Sequence, residues 1–478
     1  MWGLACGYVV CGPLRSFVQG EDRSPHLVHE PLKMAGFDNY GPGKAHRVNM
    51  AVTTPNQANT MQLQTILNRI QKQPGFVFDG AQFVEHRDGV RIHVSVRERR
   101  GSKPVCSGCY RKCPAYDRLK LRLYQFVPLW AIAVFFLYAP RRCDCPRCGV
   151  KVELLPWAEG KSRMTTALTW FLASWAKVLS WKETAERFHV SWQTVYAAVE
   201  TAVVWGRTHL SLDGIESIGV DELSWSKGHK YLTLVYQIDH SCKRLLWIGR
   251  DRTATTFAGF FDWLGPQRCK QLKFVTSDMW RAFISTVARK ANTAVHVLDR
   301  FHVMRLFSDA VDQVRRDEAR RLRAQGDTTT LKHTRWILLK RKENLDEPQF
   351  CRLNKLMKIN YATTRAYLLK ESFQQFWQYK SAGWAGKFLD LWMKDATWSK
   401  LKPFTKLAGT LRDHRNLLLN WFKARQAFAA GAVEGFNLKA RVTTRIAYGF
   451  RSYDHAETAL YHRLGNLPEP EWITHRFT

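Results

Sequence analysis

Two aspartates set into apolar β-type runs narrow the fold of this chain more than any other feature. Ile218-Gly219-Val220-Asp221-Glu222-Leu223-Ser224-Trp225 leads through a Gly228-His229 turn to Tyr231-Leu232-Thr233-Leu234-Val235-Tyr236-Gln237-Ile238. A second run, Leu272-Lys273-Phe274-Val275-Thr276-Ser277, ends on Asp278. A carboxylate in such a run loses hydration, which costs free energy unless positive charge compensates it. Far downstream, Glu434 sits in Gly431-Ala432-Val433-Glu434-Gly435-Phe436-Asn437. Asp221, Asp278 and Glu434 are read as one metal-holding site, so the fold must gather them from distant parts of the chain.

The order of elements offers a way to do this. From Ile215 the pattern reads three strands, a helix (Thr253 to Leu264), a strand (Lys273 to Ser277) and a helix (Trp280 to Lys290). A strand (Ala294 to Leu298) and a long helix from Phe301 follow. An antiparallel meander feeding a βαβα run is an α/β, ribonuclease-H-like layout. There the first strand is central and the strand after the first helix lies beside it, so Asp221 and Asp278 would project towards one spot. Neighbouring carboxylates repel unless a divalent cation bridges them, and Mg²⁺ (or Mn²⁺) suits oxygen ligands. Two such ions would clamp the attacking and leaving oxygens of a phosphodiester displacement. The catalytic core is assigned to residues 213–300 plus 430–465, with an all-α insertion at 301–429 that is basic and rich in Trp. Glu222 should point to the opposite face of its strand. Asp299 and His302 should support the site from behind, and Asp239 and Asp262 are read as surface residues.

The amino-terminal part reads differently. Residues 1–60 show no sustained periodicity and are taken as disordered or as an upstream extension, with Met61 near the functional start. Residues 61–100 form a small α/β segment: a helix on Leu63, Ile66, Leu67 and Ile70, then a hairpin turning at Asp88-Gly89. In residues 101–156, Cys106-Ser-Gly-Cys109 and Cys145-Pro-Arg-Cys148 are paired knuckles suited to tetrahedral Zn²⁺, with a hairpin (Tyr116 to Ala139) between them. Cys113 and Cys143 could replace a member of that zinc-ribbon-like set, and buried, unligated cysteines are the plainer alternative.

Residues 160–212 carry a helix-turn-helix pattern, with Ala185 at the helix crossing, His189 at the left-handed turn and Ser191 as N-cap. Ser191, Trp192, Gln193, Thr194 and Tyr196 would reach base edges and phosphates in a major groove, although an ordinary helical hairpin would satisfy the same pattern. Lys439, Arg441 and Arg445 follow Glu434 and would suit phosphates, or form a solvated basic face. The formal charge of +32 tips the helix-turn-helix reading towards DNA, because a surplus that large calls for a polyanionic partner, with nucleic acid the default and an anionic membrane surface the rival. The longest apolar run, Phe126 to Ala139, spans 14 residues and contains Pro128, too short to cross a bilayer. Met1 to Cys11 looks like a weak signal segment but lacks a basic start and a clean cleavage site. Six of the eleven cysteines cluster between 106 and 148, which favours metal binding in a reducing cytoplasm over a disulfide framework. A cytoplasmic, nucleoid-associated bacterial protein with no membrane partner is expected, ending in a tail at 466–478.

Several of these stretches together resemble the DDE-type insertion-sequence transposases, the group with an N-terminal zinc-binding region and a helix-turn-helix. The matching residues are Cys145-Pro-Arg-Cys148-Gly149, Leu179-Ser-Trp181-Lys-Glu-Thr-Ala-Glu, Gly219-Val-Asp221-Glu222, Ser277-Asp278-Met279-Trp280, Leu298-Asp299-Arg-Phe-His302 and Ala432-Val-Glu434-Gly-Phe-Asn437. Ala447-Tyr448-Gly449-Phe450-Arg451 completes the series, which runs in order from about Met61 to the C-terminus. The resemblance implies that Asp221, Asp278 and Glu434 are the acid triad. It also implies cleavage at an element's ends, attack of the freed 3′-hydroxyl on double-stranded target DNA, and a homodimer or larger assembly on DNA. An inactive DNA-binding regulator, or a nuclease or resolvase that cuts without joining, would share much of this pattern.

Overall fold

The computed structural model describes residues 62–226, 228–359, 361–424 and 431–474. The extension assigned to residues 1–60 lies outside them, as do Met61 and the end of the tail. The predicted first helix is α1 (Leu63–Ile70), followed by the hairpin β1 (Phe76–His86) and β2 (Gly89–Glu98). Asn68 ties α1 to β1 by bonding both the N–H and the carbonyl of Phe78. Next come β3 (Ala115–Arg118), β4 (Arg122–Leu129), β5 (Ile132–Tyr138), β6 (Arg141–Cys145) and β7 (Gly149–Val152). The first sheet has the order β1-β2-β5-β4, and β3-β6-β7 form a second. The hairpin between the knuckles therefore completes the sheet begun by β1 and β2. Alternation along these strands buries Phe76, Phe78, Val94, Tyr124 and Phe136 around Trp157.

The helix-turn-helix segment is α2 (Thr166–Ala176), α3 (Trp181–Arg187) and α4 (Trp192–Thr208). Ser180 and Glu183 form a reciprocal capping box at the start of α3. His189 takes the left-handed turn with φ +51°, and Ser191 caps α4 by accepting from Thr194 N–H. Ala185, Val195 and Ala198 are buried where the helices cross.

The central sheet is β8 (Ser217–Ser226), β9 (Lys230–Ile238) and β10 (Lys243–Arg250), then β11 (Phe274–Ser277) and β12 (Val295–Leu298), in the order β10-β9-β8-β11-β12. β8 runs antiparallel to β9 and parallel to β11, which is parallel to β12. Between these strands lie α5 (Ala254–Leu264), α6 (Pro266–Gln271) and α7 (Arg281–Lys290). The short α6 was not expected; Gly265, at φ +87°, breaks the preceding helix and Pro266 starts the next. Ile218 and Val220 pack with α5 and α7 on one face of the sheet. Leu223, Leu234 and Tyr236 pack on the other face against α4 and the final helices, α15 and α16, described below. Asp239, read as a surface residue, is only 8% exposed. It closes the end of β9 by accepting from Gln237 Nε2 (2.8 Å) and Glu216 N (3.4 Å). Asp262 is exposed and pairs with Lys290 (2.7 Å).

A helical segment follows β12: α8 (Arg300–Ala324), α9 (Arg335–Leu339), α10 (Glu347–Met357), α11 (Ala362–Phe373), α12 (Ala382–Trp398), α13 (Lys402–Asp413) and α14 (Arg415–Lys423). Phe307, Phe373, Phe376, Trp392 and Phe404 fill its own core. It returns to the sheet edge, where Asn420 donates to the His296 carbonyl on β12 (2.8 Å). The chain then crosses the sheet as α15 (Ala432–Ile446) and α16 (Tyr453–Leu464). Among the described residues, no helix is long and apolar enough to cross a membrane.

Candidate active site and cysteine cluster

The last paired residues of β8 and β11 are Gly219 and Thr276. Continued two residues, that register brings Asp278, just past the end of β11, level with Asp221 in the middle of β8, where its charge is felt. Asp221 is 9% exposed. Its Oδ1 accepts from Glu222 N (2.7 Å), and its Oδ2 accepts from the side-chain amide of Asn437 on α15. Asp278 Oδ1 accepts from Trp280 N (2.9 Å). Burial pushes both carboxyls above the usual carboxylate range. For Asp221, His302 and the Glu222 amide oppose the rise, while Asp278 and Asp299 add to it.

Asp299 caps α8 by accepting from Phe301 N (2.8 Å), and its other oxygen lies 3.4 Å from His302 Nδ1. His302 Nε2 stands 4.0 Å from Asp221 Oδ1. Burial alone would lower the His302 pKa; the Asp299 and Asp221 carboxylates outweigh it and raise the value. Glu222 faces the opposite side of the sheet, where Arg252 Nη1 donates to it at 3.0 Å.

Glu434 lies in the first turn of α15 and is exposed. Among the described residues, it does not form a close group of ligand atoms with Asp221 and Asp278. The residue of α15 that meets Asp221 is Asn437, one turn on. Its Oδ1 accepts from Tyr236 Oη (2.9 Å), and Tyr236 stacks on Phe436 with ring centroids 5.0 Å apart. Asn437 stood in the quoted motif without a role, and Tyr236 had none. The signal for the first was its spacing of three residues from Glu434 on a helix; nothing in an apolar strand marked the tyrosine.

The expected DNA-contacting residues divide into two groups. Gln193 is exposed at the start of α4, whereas Ser191 and Thr194 bond each other in the cap. Trp192 and Tyr196 lean on His455 of α16, at ring-centroid distances of 5.9 and 4.6 Å. Lys439, Arg441 and Arg445 are exposed along α15. Trp192 and Arg445 line one cavity of about 800 Å³ with Trp181, Tyr448 and Arg451.

In the amino-terminal sheets, the sulfurs of Cys106, Cys109, Cys145 and Cys148 all lie within 4.8 Å of one another. Four thiolates around zinc at about 2.3 Å stand about 3.8 Å apart, so little movement would close the shell. Gly108 N–H points at Cys106 Sγ (3.4 Å) and lowers that thiol. The amides of Arg147 and Cys148 pull Cys145 down to about 6, while burial pushes Cys148 up to about 12. Four crowded thiols with no cation cannot all ionise. Cys113 and Cys143 are buried beside the four, and the Cys113 thiol donates to the Arg111 carbonyl (3.4 Å).

Comparison with known proteins gives the family of this chain. Residues 218–460 match a family model described as "Transposase", that of the ISL3 group of DDE transposases. The transposase for insertion sequence element IS1557 of Mycobacterium tuberculosis is 32% identical over 392 residues, 76% of this chain and 86% of that protein. The transposase for insertion sequence element IS1001 of Bordetella parapertussis is 27% identical over 354 residues, 73% and 86% of the two chains. This chain therefore belongs to the ISL3 family of DDE transposases and carries, in its N-terminal part, a four-cysteine cluster that could chelate zinc.

Proposed function

We propose that the chain binds the terminal inverted repeats of an insertion sequence and catalyses metal-dependent DNA cleavage and strand transfer, on a ribonuclease-H-like core. The parallel pairing of β8 with β11 carries this reading, because its register, continued two residues, would bring Asp221 level with Asp278. The strand order β10-β9-β8-β11-β12, a meander with two parallel strands added beside its first, supports the core assignment. A buried carboxyl, Asp221, and a half-buried one, Asp278, both held above their usual range by desolvation, are a hard-oxygen donor set, and such a set fits a divalent cation. Asp221, Asp278 and, after α15 adjusts, Glu434 would hold Mg²⁺ or Mn²⁺. Bound there, the metal would supply charge to polarise the scissile phosphodiester and stabilise its leaving oxygen.

The protein's own work is positioning. Asp299 orients His302 beside Asp221. Lys439, Arg441 and Arg445 would hold phosphates next to the acids. The cysteine cluster, loaded with zinc, would fix the amino-terminal sheets, and with Gln193 and its neighbours on α4 these would grip the element's ends. Two ends must meet for joining, so a dimer or larger assembly on DNA follows.

The test uses purified protein, labelled end DNA, a target plasmid and Mg²⁺, with Asp221→Asn run in parallel. The parent should give cleaved and joined products, and the variant should give neither while still binding DNA. Joined products from Asp221→Asn would remove that residue from the mechanism. Cleavage without joining by the parent would identify a nuclease or resolvase, and binding alone a regulator.

A further inference from the structure

We propose that Asn437, braced from behind by Tyr236, is the positioning residue that fixes the Asp221 carboxylate for a divalent cation. The inference rests on the metal-dependent reading above and goes beyond it, because a three-acid site contains no amide. Its basis is a closed chain of contacts. Tyr236 Oη donates to Asn437 Oδ1 at 2.9 Å, and the Asn437 amide donates to Asp221 Oδ2. All three side chains are buried: Tyr236 is 0% exposed, Asn437 4% and Asp221 9%.

The chemistry fixes the direction of that chain. An ionised carboxylate only accepts, so the amide must turn its NH₂ towards Asp221 and its oxygen towards Tyr236. The tyrosine hydroxyl satisfies that oxygen and so holds the amide in one orientation. Asp221 then has one donor on each oxygen, Glu222 N on Oδ1 and Asn437 on Oδ2, and its plane is pinned. Each oxygen keeps acceptor capacity free for a cation.

Residue type matters at this point. Asp221 already has Asp278 and Asp299 as neighbours, so another carboxylate would add repulsion. Lysine or arginine would neutralise Asp221 and compete with the cation. An amide donates a hydrogen bond and adds no charge. The same bond sets the rotation and height of α15 over β8, and Glu434 stands one turn earlier on that helix. Asn437 therefore links the two halves of the proposed site.

The experiment titrates the zinc-loaded full chain with Mn²⁺, reading free ion by electron paramagnetic resonance, and measures end cleavage against Mn²⁺ in the same samples. Parent, Asn437→Ala, Tyr236→Phe and Asp221→Asn are compared. Outer-shell partners of metal ligands change affinity by about 10–100-fold, so Asn437→Ala should weaken the Asp221-dependent Mn²⁺ binding at least tenfold. Tyr236→Phe keeps the ring and the fold and should weaken it about threefold, the direction expected for a brace acting through the amide. The Mn²⁺ requirement for cleavage should rise by the same factors, with the rate at saturating Mn²⁺ falling less. Unchanged Mn²⁺ affinity in a folded Asn437→Ala overturns the proposal, as does lost cleavage that no Mn²⁺ concentration restores. Should Asn437→Ala not fold, Tyr236→Phe decides alone, and parent-like affinity there overturns it. Absence of cleavage by the parent defeats the functional reading, whereas the Mn²⁺ affinity ratio judges Asn437 independently.

Discussion

His302 stands between two carboxylates, 3.4 Å from Asp299 and 4.0 Å from Asp221, and its raised pKa reports the local field. The folded protein holds the His302 proton more tightly than the unfolded chain, whose histidine titrates near 6.5. This contribution to stability is fully present below about pH 6.5 and is lost as pH rises through the folded value. His302→Gln should remove that loss. The check is thermal unfolding of the metal-free protein from about pH 6 to 9, where parent and variant slopes should differ, together with a histidine resonance titrating above 6.5. At this scale the sequence was most informative about the acids, because Asp221 and Asp278 interrupt apolar runs. Asp239 was misread because a residue at a strand end can be exposed or can close the strand. Only the donors it meets decide which, here Gln237 two residues back and the Glu216 amide just before β8.

The contact of α15 with β8 is the joint on which the proposed site depends. A Cβ built on Gly219 would meet Val433 Cγ2 at 2.3 Å, so glycine is what lets the helix approach the strand next to Asp221. Gly219→Ala should destabilise the fold by about 1–3 kcal/mol and lower cleavage. Adding Val433→Ala should recover much of both losses. Denaturation and activity of the two single variants and the double complete the cycle, and strictly additive losses would break this account of the contact.

The four-cysteine cluster makes its own prediction. Metal analysis should find about one equivalent of zinc per chain, lost when Cys145 and Cys148 become Ser, with the β3-β6-β7 sheet losing amide protection. Strands, caps and the left-handed His189 turn were legible because each has a local signature in alternation, hydroxyl placement or backbone preference. That β4 and β5 complete the first sheet was not, since alternation says which face is buried but not which strand lies alongside. The phase of α15 over the sheet escaped for the same reason. Glu434 and Asn437 lie three residues apart on α15, but only packing brings Asn437 to Asp221.

Across the whole molecule, helices cover both faces of the central sheet; Asp278 and Asp299 follow the ends of β11 and β12, and Asp221 stands in the middle of β8. A helical segment with its own core separates Asp278 and Asp299 from α15 in sequence and returns α14 to β12 at the sheet edge. This connectivity brings α15, the helix that carries Glu434, against β8, the strand that carries Asp221. The surplus of +32 calls for a polyanionic partner, and on the proposed function DNA would supply that counter-charge, with the exposed bases of α15 among its contacts. The decisive measurement is therefore made on the assembled complex: crystals of the chain bound to its end DNA in Mn²⁺, with the metal located by anomalous scattering. The account predicts a manganese peak bridging Asp221 and Asp278, with a Glu434 oxygen within ligand distance, about 2–2.5 Å. A peak elsewhere, or one at the aspartates with Glu434 still turned to solvent, would contradict it.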